Sequence, residues 1–185
     1  LPALPEELMA KYQSVLGLGQ YDADQLCEDK ATADYFESVI EHTSQYKAVA
    51  NWILGPIRQY LNETNAGFSS LALQPETLAS LVQLVADGKL SFSVASSKIL
   101  PAIITNNASP LAVAESMNLL QVSNTNELET WIMQALDKMP EKVNEYKKGK
   151  KGLIGLFVGE VKKLSKGKAD PKVVTQLLEE KLNTN

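Results

Sequence analysis

One cysteine and one histidine in 185 residues leave little material for metal, redox or nucleophilic chemistry. Cys27 has no partner for an internal disulfide, and a lone thiol suits a reducing compartment. His42 has no cysteine near it in sequence, so no zinc site, metal-binding helix or serine triad can be built around it. A P-loop pattern is missing, and the glycines follow no strand, so there is no nucleotide-cradling loop. No apolar run approaches the roughly 20 residues that cross a bilayer. The opening "LPALPEEL" has neither an initiator Met nor the basic start and apolar stretch of a secretory signal, and the sequence reads as an excised fragment. What remains is a globular composition expected to be soluble: with 44% hydrophobic and 22% charged residues the chain is too apolar for disorder. Its length allows one domain or two small ones.

Helical periodicity runs through most of the chain and no segment reads as a strand. The expected class is all-α, with two small helical bundles in tandem, residues 1–117 and 118–185. In "QPETLASLVQLVADG", Pro75 takes the first helical position, Leu78, Leu81, Val82 and Val85 repeat at i, i+3, i+4, i+7, and Gly88 terminates the helix. Val49, Trp52, Ile53, Ile57, Tyr60 and Leu61 share one face upstream, where Pro56 is expected to kink the helix or restart it. Pro101 interrupts "SFSVASSKILPAIIT" in a similar way, and Ser109 with Pro110 opens a short helix. In the second bundle Asn124 and Glu127 stand at capping-box spacing ahead of Leu128, Trp131, Ile132 and Ala135. A short helix runs from Pro140 to a stop at Gly149. Leu153, Phe157, Val161 and Leu164 form a stripe ending at Gly167, and Asp170 with Pro171 opens a last helix that faces Val174, Leu177, Leu178 and Leu182 inward.

The net charge of -4 hides a division. Residues 1–137 hold 6 Lys+Arg against 16 Asp+Glu, a balance of -10, whereas residues 138–185 hold 12 against 6, a balance of +6. Such asymmetry suits a basic end that meets an anionic partner. The stretch "EYKKGKKGLIGLFVGEVKKLSKGKADP" alone carries eight lysines and five glycines. Gly152, Gly155 and Gly159 fall at i, i+3, i+7, which on a helix makes one bare strip, and each internal glycine costs about 0.8–1 kcal/mol of helix stability relative to alanine. Either an RNA approaches that strip while lysines hold its phosphates, or the glycines pack against a neighbouring helix and the lysines are solvated surface. Acidic clusters such as "CEDK" and "DADQ" read as solvated helix faces. No catalytic set and no metal site is expected.

Tyr146, Gly149, Lys150, Gly155, Gly159, Val161, Lys163, Gly167, Lys168, Ala169, Pro171 and Val174 carry a resemblance to the C-terminal tail of the B subunits of aspartyl/glutamyl-tRNA(Asn/Gln) amidotransferase (the GatCAB complex) and to the related YqeY proteins. "LPALPEEL", "YDADQLCEDKATADYFE" and "KAVANWILG" resemble the helical segments that follow the catalytic domain of those B subunits, so the likeness covers nearly the whole chain and excludes a stand-alone YqeY protein. The sequence departs from the family pattern at Pro56, Gly152, Glu160 and Asp170, where Glu, Lys, Gln and Asn are frequent. The resemblance implies a ligase: the full complex, with subunits A and C, converts misacylated Glu-tRNA(Gln) or Asp-tRNA(Asn) to the amide form. Its A subunit releases ammonia from glutamine, and ATP and Mg2+ are used in a catalytic domain of the B subunit that this chain lacks. It implies a non-catalytic role here: residues 1–117 link to the catalytic domain, and residues 118–185 read tRNA at its outer corner, around the D-loop, by shape. Carried over by position, the RNA-binding set is Tyr146, Lys147, Gly149, Lys150, Gly155, Gly159, Lys163, Lys166, Gly167 and Lys168. No cofactor and no membrane is implied for the fragment, and the setting is a bacterial cytoplasm or an organelle. A helical protein-interaction module without RNA binding is the alternative; a peripheral membrane helix fits less well, for want of a bulky apolar face opposite a basic one.

Overall fold

The computed structural model describes residues 3–184. They form two compact units: 3–87 with Ser91–Asn118, and Gly88–Leu90 with 119–184. Regular structure among the described residues is helical, and the one β-type pairing among them is a single parallel bridge, Val122 to Ala169. The protein is all-α. No described helix is long and apolar enough to cross a membrane.

The first unit contains α1 (Pro5–Ser14), α2 (Gln20–Cys27), α3 (Lys30–Ile40), α4 (Tyr46–Trp52), α5 (Arg58–Glu63), α6 (Pro75–Ala86), α7 (Phe92–Val94), α8 (Leu100–Ile103) and α9 (Pro110–Ser116). Its buried side chains include Tyr12, Phe36, Trp52, Ile53, Ile57, Leu78, Leu81 and Ile99. Tyr12 and Phe36 meet edge to face with centroids 5.0 Å apart, a geometry that adds to the area they remove from water. Pro56, where a kink or a restart of the helix is expected, lies inside a change of helix type. A π-helical turn, Ile53–Ile57, carries the chain from α4 into α5; its i→i−5 bonding makes a wider turn, which accommodates a ring that would clash with the i−4 carbonyl of an α-helix. A second π-helical turn, Ala95–Ile99, joins α7 to α8 just before Pro101.

The second unit is built on α10 (Thr125–Asp137), α11 (Pro140–Lys147), α12 (Ile154–Leu164) and α13 (Pro171–Asn183). These helices close over Leu128, Ile132, Tyr146, Phe157, Val161, Val174, Leu178 and Leu182. Asn124 caps α10 by accepting from the Asn126 N–H at 3.0 Å, so the cap bond falls on the second helical residue. Asp170 does the same for α13 through Lys172 N–H at 3.0 Å. Two backbone segments complete the unit. Gln121 N–H donates to the Lys89 carbonyl at 2.8 Å, and Val122 pairs with both Lys168 and Asp170. Gly88 has φ +73°, and a Cβ built on it would lie 2.7 Å from Oδ2 of the buried Asp170; both the backbone angle and the close approach call for glycine there.

Candidate nucleic-acid interface

The basic stretch folds around α12. The three glycines expected on one helix are split: Gly152 sits in a 3₁₀ turn, Lys151–Leu153, and only Gly155 and Gly159 lie in the α-helix. The difference is local, because α11 has just ended at Gly149, whose φ of +119° turns the chain, and one tight turn is what fits before α12. All three glycines are exposed, and a Cβ built on any of them would meet nothing within 4 Å. Phe157 and Val161 mark the inward face of α12, so Gly155, Gly159 and Lys163 follow the opposite side; Lys166, just past the helix, is also exposed. The helix-packing alternative requires a neighbour on the glycines, and this chain supplies none among its described residues.

Lysines surround that bare strip. Of the twelve in residues 138–185, three are in ion pairs among the described residues: Lys138 with Glu160 at 2.9 Å, and Lys142 and Lys150 with Glu145 at 3.5 and 3.2 Å. The Lys150 hydrogen bond, with help from Lys142, holds the Glu145 carboxyl below the ordinary range; Lys138 does the same to Glu160. These pairs are exposed and therefore weak. Lys151 lies 4.2 Å from the centroid of the Tyr146 ring and reaches Asn183 at 3.4 Å. Lys147, Lys148, Lys162, Lys163, Lys166 and Lys168 have no carboxylate within 4 Å among the described residues. Their charge is not neutralised by a carboxylate among the described residues.

Nine of the ten residues named from the sequence lie at the surface around α12: Lys147, Gly149, Lys150, Gly155, Gly159, Lys163, Lys166 and Gly167 are exposed, and Lys168 is half-buried. Tyr146 is the exception. Only 3% of it is exposed, and its ring packs edge to face on Phe157 with centroids 6.1 Å apart, so it is a core residue that seats Lys151 and offers no free face to a base. Its position on the inward side of α11 is readable from Val143, three residues before it, which is also partly buried against the same core. Charge alone points to Lys166 in the sequence, yet in the fold it ends α12 in the left-handed conformation with φ +55°. The expected glycine stop, Gly167, follows one residue later with φ +82° and closes the turn by donating to the Lys162 carbonyl at 2.8 Å.

Residues 34–182 match the GatB domain family. The chain belongs to that family. It is 39% identical over 98% of its length to the B subunit of the aspartyl/glutamyl-tRNA(Asn/Gln) amidotransferase of Gloeothece citriformis, of which it covers 37%. The corresponding B subunit of Staphylococcus haemolyticus is 37% identical over 99% of the chain, which spans 38% of that protein, and that of a Synechococcus strain is 40% identical over 98%, spanning 37%. The chain thus spans little more than a third of the relatives it matches. The GatB match runs from within α3 to α13, with the glycine and lysine face inside it.

Proposed function

We propose that this chain is the tRNA-reading part of the B subunit of an aspartyl/glutamyl-tRNA(Asn/Gln) amidotransferase, working in the bacterial cytoplasm or an organelle beside subunits A and C. In this reading ATP and magnesium act elsewhere in the full-length polypeptide; among the described residues no three His, Cys, Asp or Glu side chains come together as a metal site. In this reading the first unit connects to the catalytic part, and the second, which includes Gly88–Leu90, holds the tRNA. One observation carries the reading: Gly152, Gly155 and Gly159 are exposed, a Cβ added at any of them would meet nothing within 4 Å among the described residues, and the same stretch is rich in exposed lysines. Exposed glycine in a helix is costly unless something approaches the backbone. Folded RNA, recognised by phosphate, 2′-hydroxyl and shape, is such a partner.

The test is tRNA binding by this chain across a salt series. Replacing Lys147, Lys150, Lys163 and Lys166 with Gln should weaken binding and flatten the log-log salt slope by about 0.7–0.9 for each phosphate that is no longer neutralised, with helicity retained. Gly155→Leu should weaken binding by blocking approach and leave the slope near its parental value. Glu145→Gln, which frees Lys142 and Lys150 from their carboxylate, should strengthen it. Parental affinity in the fourfold lysine variant at both low and physiological salt would refute the proposal, and salt-independent binding of a protein partner at the same face would favour an interaction module.

A further inference from the structure

Arg58 is the only arginine among 18 basic side chains, and it sits where a helix has been re-aimed. The π-helical turn Ile53–Ile57 adds one residue to the helix just before it, which rotates all that follows by about 100° relative to an unbroken α-helix. Such turns recur at functional sites. The rotation brings Arg58, Leu61 and Asn62 to the wall of a pocket of about 430 Å³ in the first unit, shared with Gln25, Glu28 and Phe68. That volume lies at the small end of the about 300–1,000 Å³ typical of small-molecule sites.

The chemistry of the lining narrows the occupant. Arg58 is half-buried, donates to Gln25 Oε1 at 2.9 Å, and has no carboxylate within 4 Å among the described residues. Two of its five N–H donors are engaged at most, by Gln25 Oε1 and the Gln25 carbonyl at 3.5 Å; the remainder of a planar fork suited to a carboxylate is free. Glu28 and Asp29 stand exposed on the same rim. Asp29 is already engaged by Ala31 N–H and the Thr32 hydroxyl, whereas the Glu28 side chain has no hydrogen-bond or ion-pair partner among the described residues. A simple anion would meet one positive and two negative groups and be opposed. A small molecule carrying both charges would not. The carboxamides of Gln25 and Asn62 add neutral donors and acceptors, and Leu61 and Phe68 add an apolar wall.

We infer that the Arg58 pocket binds a free α-amino acid, its carboxylate on the Arg58 fork, its ammonium toward Glu28, and a polar, uncharged side chain against Gln25 and Asn62. This inference is independent of the RNA face on α12. L-Glutamine is the probe, because its side-chain carboxamide complements those two amides. Saturation-transfer NMR on the full chain with up to about 10 mM probe covers the weak affinities expected of so small a ligand. Binding should be present in the parent, lost in Arg58→Gln and weakened at least about tenfold in Arg58→Lys, which keeps charge but not the fork. Glutaramate, which lacks the ammonium, and 4-aminobutyramide, which lacks the carboxylate, should both bind more weakly than L-glutamine, and Glu28→Gln should weaken L-glutamine while leaving glutaramate unchanged or improved. Glu28→Gln also guards against a folding artefact, since its side chain is exposed and holds nothing else in place. No detectable L-glutamine binding to the parent, equal binding of glutaramate, or unchanged binding in folded Arg58→Gln would each overturn the assignment.

Discussion

Replacing Lys166 with glycine should stabilise the second unit and, under the proposed tRNA role, weaken tRNA binding. Among the described residues four non-glycine positions have positive φ; three are Asn65, Asn107 and Asn118, and the fourth is Lys166. Asparagine tolerates the left-handed region, whereas lysine takes it at a cost of roughly 1–2 kcal/mol. Glycine removes that cost but gives the unfolded chain extra freedom, which returns about 0.4–1 kcal/mol. The net gain should be about 0.5–1 kcal/mol, or about 2–8 °C in Tm for a domain of this size. The turn itself is undisturbed, because the Lys166 N–H to Lys163 carbonyl and Gly167 N–H to Lys162 carbonyl bonds are main-chain contacts. Urea and thermal unfolding followed by circular dichroism give the stability, and tRNA titration gives the binding. Asn118→Gly is the internal control and should gain less than half as much. A loss of stability in Lys166→Gly would show that the lysine side chain supports the fold, and the view of a strained residue kept for its charge would fail.

The first unit offers two further tests. The Tyr12 hydroxyl is fully buried with no hydrogen-bond partner among the described residues, and burial, reinforced by Glu37, pushes the phenol well above its usual range. Tyr12→Phe should therefore be neutral or stabilising by about 1 kcal/mol, since an unsatisfied buried polar group costs about 1–3 kcal/mol; a loss of that size in denaturant unfolding would mean that the hydroxyl has an acceptor, with Glu37 the carboxylate that acts on it most strongly. Asp29 caps α3 through Ala31 N–H at 2.9 Å and takes the Thr32 hydroxyl at 2.7 Å, which lowers its carboxyl from the ordinary value. A depressed acid contributes stability above its unfolded value of about 3.9, and that contribution fades as pH falls through the lower folded value. Asp29→Ala should cost about 1 kcal/mol near neutrality and show a shallower loss of stability below pH ~4 than the parent, as read by urea midpoints across pH.

The helices are legible in the sequence because their signals are local and redundant. Pro75, Ser109, Pro110, Asp170 and Pro171 sit where sequence rules put them, and Leu78, Leu81, Leu128, Ile132, Phe157, Val161, Leu178 and Leu182 are buried as their spacing requires. What stays hidden depends on choices the pattern does not encode. Pro56 and Pro101 read as interruptions, but a helix can absorb a ring by widening one turn, and nothing in the residue order tells that solution from a kink. Gly167 reads as the stop of α12, yet the chain turns left-handed one residue sooner, at Lys166. Resemblance puts Tyr146 among the RNA-facing residues, whereas its spacing from Val143 points inward, and in the fold it packs on Phe157. The Arg58 pocket cannot be seen in the sequence at all, since it depends on the rotation introduced by the π turn.

The second unit also owns three residues, Gly88–Leu90, that the chain reaches long before the rest of it. Lys89 lends its carbonyl to Gln121, and Gly88 leaves the space that Asp170 occupies. A gene broken at Asn118 would therefore not yield an independent cassette: the downstream product would be missing a piece of its own wall, and the upstream product would carry a loop shaped for a partner it no longer had. Recombination that exchanges tails between related proteins must keep the 88–90 loop matched to its new Gln121 and Asp170, so the two stretches are constrained to change together although they lie far apart in sequence.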